Sequence, residues 1–125
     1  MRGKGYKREL SVAFSFSFSG YLERSIKVGR RENEFQAKLI KDLGVMFPGS
    51  IVTKLDSSHI QGIPDLLILY KGRWATLECK RGKKERRQPN QEYYVEKMND
   101  MSFSRFIYPE NREEVLSELQ QAFEP

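Results

Sequence analysis

One cysteine and one histidine in 125 residues exclude a good deal. Cys79 alone cannot form an internal disulfide. Cys79 and His59 together cannot supply the four ligands of a Cys/His zinc site, and no second histidine exists for a histidine-based metal set. No apolar run approaches the roughly 20 residues of a membrane-spanning helix, and no internal repeat is visible. Arg2, Lys4, Lys7 and Arg8 precede the stretch Leu10–Leu22 in the manner of a signal peptide. Serines at alternate positions weaken that stretch, however, and no small-x-small cleavage site is clear. An intracellular, cytoplasmic protein is expected. With 38% hydrophobic and 31% charged residues, the chain suits one domain with a real core.

Charge of one sign is scarce in particular regions, and this matters more than the net +5. Residues 1–31 hold eight Lys/Arg against two acids, and residues 71–91 repeat that ratio. Residues 92–125 reverse it, with eight acids against three bases. The run Lys80, Arg81, Lys83, Lys84, Arg86 and Arg87 is either a solvated loop or a phosphate-backbone contact surface. The acidic C-terminal third is expected to face away from any nucleic acid.

What is present is a hairpin with chemistry at one end. Pro64-Asp65-Leu66-Leu67-Ile68-Leu69-Tyr70, a Lys71-Gly72 turn and Arg73-Trp74-Ala75-Thr76-Leu77-Glu78-Cys79-Lys80 read as two strands joined by a two-residue loop. Pairing Tyr70 with Arg73 sets Leu69 against Trp74, Leu67 against Thr76 and Asp65 against Glu78. Directly opposed residues bring their Cβ atoms to roughly 4.5–5.5 Å, where like charges repel. Two carboxylates so placed call for a cation between them. Lys80, two residues beyond Glu78, projects from the same face. Two acids and a lysine on one patch of sheet outline a hydrolytic metal site. Cys79, between them in sequence, points the other way, into packing.

The rest of the chain supplies the architecture. Leu10–Phe18 alternates apolar and small residues, which fits a strand, a disordered arm or a partner-bound arm. Residues 1–30 are read as this basic N-terminal segment, and residues 31–125 as the domain. A helix is expected from about Arg31 to Leu43, ended by Gly44 and Pro48-Gly49. Ser50–Leu55 reads as a short strand, Asp56–Gln61 as a polar loop. Pro89 suits the first turn of a helix running to about Met101, followed by a strand over Ser102–Tyr108. Asn111 with Glu114 resembles a capping box for a last helix carrying Val115, Leu116, Leu119 and Phe123 on one side. The order α-β-β-β-α-β-α implies an α/β fold with a mixed sheet covered by helices. The segment from Trp74 to Tyr108 should be a crossover to a parallel strand.

Helix geometry selects further site residues. At about 100° per residue, Gln36, Leu39, Ile40 and Leu43 fall on the same face as Glu32, while Glu34 falls about 200° away. Glu32 is therefore directed to the sheet, unless it simply lies exposed at the helix end, favoured by the dipole, and Glu34 is the alternative third acid. Gln91 shares an arc with Tyr94, Val95 and Met98 and faces inward, either as a hydrogen bonder at the helix start or toward the site. Tyr93 and Tyr94 could stack on bases, although Tyr94 fits a core position. His59 reads as a plain loop residue.

Pro64-Asp65, twelve intervening residues and Glu78-Cys79-Lys80 resemble the signature of the PD-(D/E)xK nuclease superfamily. Gly62-Ile63 and Gln91 make the resemblance strongest to its VRR-NUC branch, over roughly residues 31 to 123. The resemblance implies a restriction-endonuclease-like core and Mg²⁺- or Mn²⁺-dependent hydrolysis of DNA phosphodiesters. It implies a metal held by Asp65, Glu78, the Cys79 backbone carbonyl and Glu32, with either one ion or two. Lys80 would orient water or stabilise charge on phosphorus, and Gln91 would contact phosphate or the attacking water. Arg81, Lys83, Lys84, Arg86 and Arg87 would bind nucleic acid. It also implies a homodimer acting on branched DNA, as Holliday-junction resolvases do, with Phe14, Phe16 and Phe18 available across the two-fold axis. Two other readings stay open: a non-catalytic nucleic-acid-binding module on the same fold, and a recombination accessory protein working through its N-terminal segment.

Overall fold

A computed structural model describes residues 20–125, with side chains from Glu32 onward. Its elements are α1 (Gly20–Met46), β1 (Ile51–Lys54), β2 (Leu66–Tyr70), β3 (Arg73–Cys79), α2 (Pro89–Met101), β4 (Ser104–Ile107), a 3₁₀ turn (Pro109–Asn111) and α3 (Arg112–Phe123). The four strands form one mixed sheet in the order β1-β2-β3-β4. β1 and β2 are antiparallel, as are β2 and β3, whereas β3 and β4 are parallel with α2 between them in sequence. Among the described residues no helix is long and apolar enough to cross a membrane.

The β2–β3 hairpin has the expected register, Tyr70 with Arg73 through Leu66 with Leu77. Lys71 and Gly72 adopt φ of 49° and 77°. Two consecutive left-handed residues match the right-handed twist of the strands, and glycine adopts that conformation without a Cβ penalty. The alternation of the strands then separates two faces. Leu66, Ile68 and Tyr70 of β2 with Ala75, Leu77 and Cys79 of β3 join Leu39, Leu43 and Phe47 and the α3 residues Val115, Leu116, Leu119 and Phe123 in one core. Phe47, Tyr70 and Phe123 close it with ring centroids 5.1–5.7 Å apart. Fully burying each such side chain contributes roughly 1.5–3 kcal/mol. The opposite face of β3 carries Thr76 and Glu78 toward α2. There Thr76 donates to Ser104 Oγ at 2.7 Å and meets Met98 Sδ at 3.6 Å.

Three details depart from expectation. The first helix begins at Gly20 rather than Arg31, so residues 20–30 belong to α1 and not to a strand or arm. Leu22, Glu23, Arg24, Lys27, Arg30 and Arg31 in that stretch are good helix formers. The alternating segment Leu10–Phe18 lies outside the described residues. Gly44 does not end α1, which runs to Met46; buried Leu43 and Phe47 hold the last turn in place. Asn111 does not cap α3 with its side chain. Its Oδ1 accepts from Tyr108 N–H and its Nδ2 donates to Phe106 O, so the amide closes the 3₁₀ turn instead.

Candidate active site

Where β2 begins and β3 ends, the hairpin brings its charged residues together. Asp65 immediately precedes β2, and its Oδ2 accepts the Cys79 N–H at 2.9 Å. Glu78 is 3% exposed and Lys80 5%, depths at which charged groups persist only with partners. Pleating gives both the α2-facing side, while Cys79 packs on the core side at 1% exposure. Lys80 Nζ donates to Gln91 Oε1 at 2.7 Å and to Arg86 O at 3.2 Å, and lies 3.9 Å from Glu78 Oε2.

Gln91 is the hinge of this network. Its Nε2 donates to Glu78 Oε2 at 2.9 Å, and its Oε1 accepts from both Lys80 Nζ and the Gln88 N–H. The residue therefore works inside the protein, fixing Lys80 relative to Glu78. The start of α2 that presents Gln91 is wedged against the loop before β2. Gly62 has φ of +91°, and a Cβ there would lie 2.4 Å from Asn90 Cβ. Beside this contact opens a cleft of about 670 Å³, lined by Ser57, Ser58, Gln61, Gly62, Gln88, Pro89, Asn90 and Gln91 and by no charged side chain.

Burial and mutual repulsion raise the acids. Burial, then Asp65 and Glu32, push Glu78 up to about 8, against a lowering pull from Lys80. Burial, then Glu85 and Asp65, push Glu32 up to about 7, with Lys80 and Arg81 pulling the other way. Asp65 is raised, first by burial, although the Cys79 N–H and Lys80 oppose the change. Glu32, Asp65 and Glu78 thus feel one another, as the helix phase requires, while Glu34 is exposed. One oxygen of this set, Glu78 Oε1, is buried with no hydrogen-bond partner among the described residues. An orphaned carboxylate oxygen among other acids fits a hard cation that takes oxygen ligands. Among the described residues, however, no three His, Cys, Asp or Glu side chains already stand together as a metal-holding group. The acids act on one another through space, and Asp65 has turned one oxygen to the backbone.

Glu85 is the neighbour that sequence reasoning missed. It lies 3.8 Å from Lys80 Nζ and 3.5 Å from Arg81 Nε, and it accepts the Arg81 N–H at 2.6 Å. It also raises Glu32 and Asp65. The available signal was its position as the one acid inside a basic run. Lys83, Lys84, Arg86 and Arg87 are exposed on that loop, and Arg87 lies over the Phe106 ring at 4.0 Å. Tyr93 is exposed and meets the half-buried Tyr94 edge-on. His59 is an exposed loop residue.

Compared with protein-family models, curated proteins and solved structures, the chain matches none.

Proposed function

We propose that this protein is a divalent-metal-dependent DNA endonuclease, built on a restriction-endonuclease-like variant of its mixed α/β fold. The observation that carries the reading is Glu78 Oε1, buried with no hydrogen-bond partner among the described residues, beside Asp65, Glu32 and a lysine held in place. The resemblance of Pro64-Asp65 and Glu78-Cys79-Lys80 to the PD-(D/E)xK signature, in its VRR-NUC form, supports the same conclusion.

Asp65, Glu78 and Glu32, with the Cys79 carbonyl, would hold Mg²⁺ or Mn²⁺. When bound, the ion supplies Lewis acidity toward a phosphoryl oxygen and lowers the pKa of water. Lys80 Nζ, positioned by Gln91 Oε1 and Arg86 O, would orient the attacking water or offset charge growing on the phosphate. Glu32 would complete the metal's oxygen ligands or position the attacking water. The loop from Arg81 to Arg87 would draw in the DNA backbone, and the uncharged cleft beside Gln91 leaves room for a flanking nucleotide.

The test is cleavage of supercoiled, linear, single-stranded and four-way-junction DNA. Activity should require Mg²⁺ or Mn²⁺, be poorly supported by Ca²⁺, and disappear with EDTA or Glu78→Ala. Undiminished cleavage in EDTA after extensive dialysis would sink the mechanism. Binding without cleavage under any divalent ion would favour the non-catalytic module. A homodimer and a preference for branched DNA belong to the same proposal, because one active site cuts one strand and paired cuts need a two-fold axis. Light scattering at micromolar concentration checks the dimer, and equal cutting of a junction and a matched duplex would remove the preference.

A further inference from the structure

The basic loop after β3 is not uniform. Arg81 is paired with Glu85. Lys83, Lys84 and the Arg86 side chain are exposed, with no hydrogen bond or ion pair among the described residues. Arg87 differs from both groups. It too has no hydrogen bond or ion pair there, yet its guanidinium is held over the Phe106 ring at 4.0 Å.

Phe106 determines where that guanidinium is kept. It is 8% exposed and is the register partner of Glu78 in the parallel β3–β4 pair. Residues paired in neighbouring strands project from the same face, and neighbouring strands run roughly 4.8 Å apart. Arg87 is therefore held against the ring of the residue that pairs with Glu78. Its peptide is fixed as well, because the Arg86 carbonyl immediately before it accepts from Lys80 Nζ. The main chain is thus moored to Lys80 and the side chain to the Phe106 ring. A guanidinium resting on a ring keeps its N–H fork for an anion, and that fork matches two non-bridging phosphate oxygens.

We propose that Arg87, set apart from the rest of its loop, grips the phosphodiester undergoing cleavage and stabilises the charge that develops on it. Lys83, Lys84 and Arg86 act as general backbone contacts. This inference rests on the nuclease reading and assigns a substrate contact within it.

The experiment compares Arg87→Ala, Arg87→Lys, Phe106→Leu and the double variant Lys83→Ala/Lys84→Ala. Single-turnover cleavage at saturating DNA is measured with Mg²⁺, and affinity for the same DNA is measured separately with Ca²⁺. Losing one preorganised donor to transition-state charge typically costs about a hundred-fold in rate, and Arg87→Ala should lose that much with a far smaller change in affinity. Arg87→Lys should lose nearly as much, since an ammonium neither forks nor keeps the planar stack. Phe106→Leu, checked for folding by circular dichroism, should lose an intermediate amount with Arg87 intact. The double lysine variant should lose mainly affinity. A full-rate Arg87→Lys, or an Arg87→Ala loss confined to affinity in step with the lysines, would overturn the inference and leave the nuclease reading standing. A wild-type protein that cuts no DNA would overturn both.

Discussion

Gly62 and Asn90 are in contact at a separation that admits no side chain on the glycine. A Cβ at position 62 would lie 2.4 Å from Asn90 Cβ and 2.8 Å from its carbonyl carbon, at a φ of +91°. Gly62→Ala must therefore strain the backbone and push the start of α2 outward, carrying Gln91 away from Lys80 and Glu78. A loss of roughly 1–3 kcal/mol in stability is expected from the conformation alone, together with a marked fall in cleavage. Thermal unfolding and a cleavage assay check both. A variant as stable and active as wild type would mean that the wedge does not position Gln91.

Asp65→Ala, Glu78→Ala and Lys80→Ala should each lower cleavage by orders of magnitude while DNA affinity in Ca²⁺ is largely retained. Removing an acid relieves repulsion of phosphate, so the two acid variants should bind DNA at least as tightly as wild type when metal is absent. Glu32→Gln should be damaging and Glu34→Gln close to wild type, since Glu32 feels Asp65 and Lys80 and Glu34 is exposed to solvent. The reverse ranking would put the Glu34 face of α1, not the Glu32 face, at the site.

Metal-free stability should fall as pH rises. Glu78 goes from an ordinary 4.5 to about 8 in the fold, and Glu32 from 4.5 to about 7. Between those limits the folded chain binds more protons than the unfolded one, so each unit of pH lowers stability until the folded group has ionised. The window is about 4.5 to 8 for Glu78 and about 4.5 to 7 for Glu32. Together they amount to an effect on the order of a few kcal/mol. Melting curves in EDTA across this range should show the decline. Glu78→Gln should flatten it, and Mg²⁺ or Mn²⁺ should raise the melting temperature most at the alkaline end. A melting temperature independent of pH for wild type in EDTA would contradict the burial of these acids.

The exposed loop residues make a different kind of prediction. Changing Lys83, Lys84 and Arg86 to alanine should weaken binding to all DNA sequences alike. The slope of log affinity against log salt should shrink by about 0.9 for each duplex phosphate that is no longer neutralised. An unchanged slope would return these side chains to ordinary solvated positions.

The hairpin and its register were legible in the sequence because period-two alternation and the Lys71-Gly72 turn leave little choice of pairing. The orientation of Glu32 was legible for a similar reason, since Leu39 and Leu43 define the buried face of α1. The helix start at Gly20 was not, because Gly20, Ser25 and Gly29 are weak helix formers within that stretch. Nor was Glu85, which reaches Lys80 and Arg81 through an irregular loop whose path no periodicity encodes. Gln91 was recognised as inward-facing, but its double engagement depends on where Lys80 and Gln88 meet it in space. Asn111 had the right residue type for a cap and a better use closing the preceding turn.

Cys79 stands back to back with the acids, its thiol sealed in the core at 1% exposure while its neighbours Glu78 and Lys80 face the other way. Burial and the nearby carboxylates push that thiol well above its ordinary range, so thiolate is scarce. Alkylating reagents and mild oxidants should therefore pass over the native chain. A cysteine introduced at an exposed position such as Lys83 would be the one group to take a fluorophore. In the unaltered protein, the slow appearance of thiol reactivity would serve as a clock for opening of the sheet.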